Sequence, residues 1–158
     1  GKKVLILGAG GAARAIAFYL DHEGALVTLA NRTAVRAAQL AARLTNAQAI
    51  GLGAELKANL KATDILINAT SVGMHPRVEE TPVTADMLTP ELVVFDIVYN
   101  PIETKLLADA RRASVHTCIN GVKMLVYQGA AAFRIWTKRE PPLDVMEQAV
   151  IDALQRGR

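Results

Sequence analysis

The residues best suited to chemistry come almost at the start of the chain. Gly8-Ala9-Gly10-Gly11-Ala12-Ala13 follows four apolar residues and matches the spacing G-x-G-x-x-A. Each position has its own physical reason. Gly8 permits a tight strand-to-helix turn, Gly10 removes a side chain where a pyrophosphate would approach the backbone, and the small Ala13 lets the next helix pack closely on a sheet. The free N–H groups that open that helix, with the positive end of its dipole, then face an anion. Taken alone, the motif also describes a tight turn with no ligand. Its place between an apolar strand and a helical pattern, in the first βαβ unit, favours a dinucleotide.

A second group of residues bears on which dinucleotide. A site built for NAD carries Asp or Glu about 20 residues on, at the end of the next strand, against the ribose hydroxyls. That place here holds Asn31-Arg32-Thr33, with Arg36 one helical turn further, and no acid. Two guanidiniums beside two small polar side chains suit a 2′-phosphate, because the arginine fork donates paired bonds and keeps its charge. The spacing therefore predicts NADP. Thr33 also reads as an ordinary helix N-cap.

A third group lies further along. In a doubly wound sheet, ligands sit beyond the carboxyl ends of the strands. Ala69, Thr70 and Ser71 follow the strand "DILIN" and would line the path of the cofactor's ribose and nicotinamide, their small side chains allowing close approach and their hydroxyls free to donate. Asp96, inside the apolar run "VVFDI", is either hydrogen-bonded internally or part of a site. Tyr99 lies just past that run, its hydroxyl within reach of a ligand. Met124 and Gln128 are four apart and share a helix face expected to point inward. Met124 fits core packing and cofactor contact equally well, and an inward Gln128 amide needs partners, which favours a ligand. His75, before Pro76, reads as an exposed loop histidine. Cys118, the one cysteine, reads as a small buried thiol. No metal site is expected.

The elements that must position these residues alternate regularly. Strands are predicted at 2–7, 26–30, 47–50, 64–68, 93–97 and 116–119, and helices at 11–23, 34–44, 54–60, 103–113, 121–136 and 143–154. The first helix is read as facing inward through Ala12, Ile16 and Leu20. Strand–helix alternation with short connections implies a Rossmann-like α/β domain over residues 1–158, a doubly wound, mostly parallel sheet of about six strands with helices on both faces. The one long irregular stretch, 69–90, follows a strand's carboxyl end, where loops often carry function.

Composition excludes other classes. Hydrophobic residues make up 51% of 158, enough for a sizeable core, and the net charge of +3 comes from scattered residues rather than a basic run, so no nucleic-acid surface is expected. No segment approaches the roughly 18 apolar residues of a membrane span. A single cysteine rules out an intrachain disulfide and fits a cytoplasmic protein. The chain begins at Gly1 rather than Met, and is expected to be a piece of something longer or a processed product.

Together the motifs are more specific than any one of them. "GAGGAAR", "NRT" with Arg36, "NATSVGM", "DIVYNP" and "NGVKMLVYQGAAAF" stand in this order, and the chain resembles the C-terminal, NADP-binding half of shikimate dehydrogenases. The resemblance runs from Lys2 to about Leu154. It implies the reversible, NADPH-dependent reduction of 3-dehydroshikimate to shikimate in aromatic amino-acid biosynthesis. It places Gly8, Ala9, Gly10, Gly11 and Ala12 on the pyrophosphate, Asn31, Arg32, Thr33 and Arg36 on the 2′-phosphate, and Thr70, Ser71, Ile97 and Gly121 around the nicotinamide half. Tyr99 and Gln128 match family positions that touch the substrate. Ala69 and Met124 complete the expected cofactor set.

Two departures qualify the likeness. Lys123 stands where the family often has a small residue or proline. The family's catalytic Lys–Asp pair belongs to an N-terminal domain, and no position here matches it, so no catalytic residue is assigned. Hydride transfer needs a carbonyl held against the nicotinamide and a proton donor at its oxygen. The fragment alone is therefore expected to be inactive, engaging shikimate or 3-dehydroshikimate only together with that domain. The stripe Leu143, Met146, Val150 and Leu154 on the last helix either covers this sheet or reaches toward that domain. Rival readings are the NADP-binding part of a quinate dehydrogenase or of a glutamyl-tRNA-reductase-like enzyme, and a non-catalytic NADP-binding module.

Overall fold

Residues 1–156 are described by a computed structural model. The apolar runs become six parallel strands: β1 (Lys3–Leu7), β2 (Leu26–Ala30), β3 (Ala47–Ile50), β4 (Ile65–Asn68), β5 (Val93–Asp96) and β6 (Thr117–Ile119). Their order in the sheet is β3-β2-β1-β4-β5-β6. β1 is central and buried on both faces, which is why Val4 to Leu7 is continuously apolar rather than alternating. Leu5 and Ile6 are wholly inaccessible, each contributing about 1.5–3 kcal/mol of burial. The chain order reverses between β1 and β4, which opens a crevice at the carboxyl ends of those two strands.

Helices cover the faces by turns. α1 (Gly11–His22) and α2 (Ala34–Ala41) pack one face through Ala13, Ala17, Ala37 and Leu40 against Val4, Ile6, Val27 and Leu29. α3 (Ala54–Leu60) and α4 (Lys105–Arg112) pack the other through Leu56, Leu60, Leu106 and Leu107 against Leu5, Leu7, Leu66 and Val94. The first face is open over β4–β6, where Ile65, Val93, Phe95 and Ile119 line an apolar groove of about 500 Å³ with Tyr19 and Leu20 of α1. α5 (Val122–Thr137) and α6 (Leu143–Arg156) pack on each other.

Several expectations are corrected. The inward face of α1 is Ala13 and Ala17, with Ile16 and Leu20 half-buried, while Ala12 is exposed. α2 stops at Ala41 because the chain tightens there: the N–H groups of Arg43 and Leu44 bond three residues back, and those of Thr45 and Asn46 donate to the Asp21 carboxylate. α4 begins at Lys105 because Thr104 caps it, its hydroxyl accepting from Leu107 N–H at 3.3 Å. Cys118 is half-buried rather than buried, since β6 is an edge strand; burial still pushes its thiol upward. Residues of the α6 stripe meet α5, with Met146 seated against Gly129, and none is fully buried. Among the described residues no helix is long and apolar enough to cross a membrane.

Candidate nucleotide site

The glycine turn joins β1 to α1 at the crevice. Gly8 has φ +114°, and a Cβ there would lie 2.7 Å from the Ala69 carbonyl oxygen, so the fold itself demands glycine. Its N–H donates to Ala30 O at 2.7 Å, tying the turn to the end of β2. Gly10 and Gly11 differ. Gly10 has φ −83°, open to any residue, and a Cβ at either position meets no protein atom within 4 Å. Nothing in the fold explains these two glycines, and the open space before their backbone suits an approaching ligand. α1 begins with no side-chain cap and no acid in its first turn, leaving N–H donors and the dipole facing outward.

β2 lies beside β1 with Ala30 opposite Leu7, so the next residues flank the turn. Asn31 is half-buried and its Nδ2 donates to Thr33 O at 3.0 Å, folding the start of α2 back on itself. Thr33 occupies the N-cap position but its hydroxyl makes no capping bond; the capping expectation fails. Arg32 and Arg36 are exposed, and among the described residues neither joins an ion pair. Uncapped donors, open glycine backbone and two uncommitted guanidiniums fit a phosphorylated dinucleotide.

On the other side of the crevice the arrangement is dense. Asn68 and Asp96 are the last residues of β4 and β5, lie opposite each other in register and are wholly inaccessible. The Asp96 carboxylate accepts from Asn68 Nδ2 at 2.9 Å, Val98 N–H at 3.0 Å and the Thr104 hydroxyl at 2.7 Å. Asn68 Oδ1 in turn accepts from the N–H and hydroxyl of Thr70 at 3.1 and 2.7 Å, and the Thr70 oxygen accepts from Val72 N–H. Burial pushes the Asp96 carboxyl above its ordinary value, opposed by the bonds from Thr104, Val98 and Asn68. Among the described residues no buried side-chain polar atom lacks a partner.

This overturns one detail of the sequence reading. The Thr70 hydroxyl spends its proton on Asn68 and is not free to donate outward. Ser71, exposed beside it, is. Ala69 is half-buried, its carbonyl against Gly8. Asn68 and Thr104 carry the cluster yet attract no notice in the sequence; only the register of β4 on β5 pairs Asn68 with Asp96.

The N-terminus of α5 meets the exit of β5. A Cβ on Gly121 would collide with the Ile97 carbonyl and lie 2.8 Å from that of Val98, so this glycine lets the helix start directly against the exit of β5. Ile97 and Gly121 are thus brought together, with Tyr99 half-buried nearby in sequence. Met124 is half-buried on α5 and belongs to neither core cluster of the sheet. Gln128 does not face inward. α5 buries Val122, Val126 and Ala130, and Gln128 lies two residues from Val126, about 200° round the helix. It is exposed, with its amide donating to Leu125 O at 3.0 Å. The argument from a buried amide therefore falls, and only the resemblance speaks for a ligand there.

Comparison with known proteins identifies the family. The family model described as shikimate/quinate 5-dehydrogenase matches residues 1–117, and the shikimate 5′-dehydrogenase C-terminal domain matches 121–151. The chain belongs to the shikimate/quinate dehydrogenase family. Shikimate dehydrogenase (NADP(+)) of Methanosarcina mazei is 51% identical over 161 residues, covering 98% of this chain and 57% of that protein. The chain thus spans a little over half the length of the curated relatives it matches. A crystal structure of a shikimate dehydrogenase in complex with NADP+ superposes with a TM-score of 0.89 at 42% identity, covering 97% of this chain and 55% of the other. Quinate dehydrogenase of Corynebacterium glutamicum in complex with NAD gives 0.86 at 30% identity, covering 96% and 55%.

Proposed function

We infer that this chain is the NADP-binding half of a cytoplasmic shikimate dehydrogenase, acting in the reversible reduction of 3-dehydroshikimate. The observation that carries the reading is the juxtaposition of a glycine turn open at Gly10 and Gly11 with two exposed arginines at the end of β2 that join no ion pair among the described residues. Ala9, Gly10, Gly11 and Ala12 offer backbone donors to the pyrophosphate, and Gly8, its own N–H bonded to Ala30 O, makes the turn that presents them. Asn31, Arg32, Thr33 and Arg36 take the 2′-phosphate. Ala69, Thr70, Ser71, Ile97, Gly121 and Met124 shape the nicotinamide end. Tyr99 and Gln128 reach the substrate from the edge of the crevice, Gln128 from an exposed position.

When bound, the cofactor supplies the hydride. This chain holds and orients it, and a preceding domain presents the substrate and the proton donor. The quinate relative described with NAD supports a second cofactor within the family, but the absence of an acid at the end of β2 favours the phosphorylated one here. The test is a substrate panel on the full-length protein, pairing shikimate or quinate with NADP or NAD. Shikimate with NADP turns over fastest, and this chain alone gives no turnover. Faster turnover of quinate with NAD would overturn the reading.

A further inference from the structure

The dense cluster beneath the crevice has an internal direction. A carboxylate only accepts hydrogen bonds, so Asp96 turns the Asn68 NH2 toward itself and leaves Asn68 Oδ1 facing the next loop. That oxygen can only accept, so it takes the N–H and the hydroxyl proton of Thr70. The Thr70 oxygen, its proton spent, accepts from Val72 N–H. Asn68 Nδ2 also reaches Val72 O at 3.2 Å, closing the loop from its other end. A second branch runs from Asp96 through the Thr104 hydroxyl to Leu107 N–H, and a third to Val98 N–H. One buried carboxylate thus fixes the loop after β4, the exit of β5 and the first turn of α4.

We propose that Asp96 is a positioning residue for the nicotinamide half of the cofactor site, acting through Asn68 and Thr70 to hold the 70–72 loop in one arrangement. The inference rests on the functional reading above and adds how the site is held. Asp96 touches no ligand: it is wholly inaccessible, and its contacts are all internal. Its effect reaches the site at Ser71, the exposed residue between the two bonded ends of the loop, and at the Thr70 methyl, which lies 3.3 Å from where a Gly8 Cβ would be. The adenosine half, at Arg32 and Arg36, shares no bond with this cluster.

That separation gives the test. Asp96→Asn keeps the shape but mixes donor and acceptor at the hub; Thr70→Val keeps the shape and deletes the last link. Each variant of this chain is titrated with NADPH and with adenosine 2′,5′-bisphosphate, which has no nicotinamide, and amide hydrogen exchange is followed at Thr70 and Val72, with Leu29 as reference. Both variants lose affinity for NADPH about tenfold, a change of about 1.4 kcal/mol, while the bisphosphate binds as before. Exchange at Val72 speeds up and Leu29 stays protected. Parallel loss for both ligands, or unchanged exchange at Val72, overturns the proposal. If the unmodified chain binds neither compound, the functional reading falls, and the exchange result alone decides whether Asp96 sets the loop.

Discussion

The two sides of the crevice are prepared in opposite ways. At the ends of β1 and β2 the chain leaves backbone donors uncapped, glycines with free space before them and arginines that join no ion pair among the described residues. At the ends of β4 and β5 every buried side-chain polar atom among the described residues is engaged, and the hub is a carboxylate sealed from solvent. On the proposed reading, the first side binds by what it leaves unsatisfied. The second contributes by what it holds still. Substitutions on the first side should cost binding and spare the fold, and those on the second should cost the fold or the shape of a loop.

The largest expected effect is at the glycines, where one motif contains both kinds of position. Gly8→Ala forces a side chain onto the Ala69 carbonyl at a positive φ and loses several kcal/mol of stability, of order 3 or more. Gly10→Ala meets no protein atom and changes denaturant stability by less than about 1 kcal/mol, yet weakens NADPH binding at least about tenfold. Equal stability losses at the two positions would erase the contrast. Asp96→Ala comes next. It strands the donors of Asn68, Val98 and Thr104, each costing about 1–3 kcal/mol when buried and unpaired, so the urea midpoint falls by an amount worth roughly 3–5 kcal/mol.

Arg32→Ala with Arg36→Ala breaks only the open side. NADPH affinity drops, each lost charge-assisted bond being worth about 1.5–3 kcal/mol, and the thermal midpoint does not move because both side chains are exposed. A shift in the midpoint without loss of affinity would reverse their roles. The smallest effect is on pH dependence. Asp96 is raised by burial, so above the ordinary aspartate value of about 3.9 the folded state holds its proton longer than the unfolded chain, and its contribution to stability grows as pH falls. Asp21 and Asp64 are lowered, chiefly by the backbone N–H groups of Thr45 and Lys3, and their contribution is lost as pH falls through their folded values. Asp96→Asn removes the opposing contribution and steepens the loss of stability on acidification; parallel curves would contradict this assignment.

The same contrast explains what was legible in the sequence. The open side is local: Gly8 to Ala13 lie in one turn, and Asn31 to Arg36 follow the next strand, so spacing alone carries the chemistry. The doubly wound, mostly parallel sheet of about six strands followed from the alternation of apolar runs and helices; its order came only with the structure. The dense side is non-local. Asn68 and Asp96 are 28 residues apart, joined across an irregular stretch, and only the register of β4 on β5 makes them partners. Gln128 misleads for a related reason: its four-residue spacing from Met124 fixes a shared face but not which face is buried, and Val122, Val126 and Ala130 take that role. Thr33 has the right residue type and position for a cap, yet its hydroxyl makes no capping bond.

The central claim is that the end of β2 reads a 2′-phosphate, and direct calorimetric titration of this chain with NADPH and with NADH tests it. The account predicts NADPH binding at least about tenfold tighter, a difference of about 1.4 kcal/mol or more, abolished when Arg32 and Arg36 are both replaced by Ala. Equal affinity for the two cofactors in the unmodified chain would contradict it.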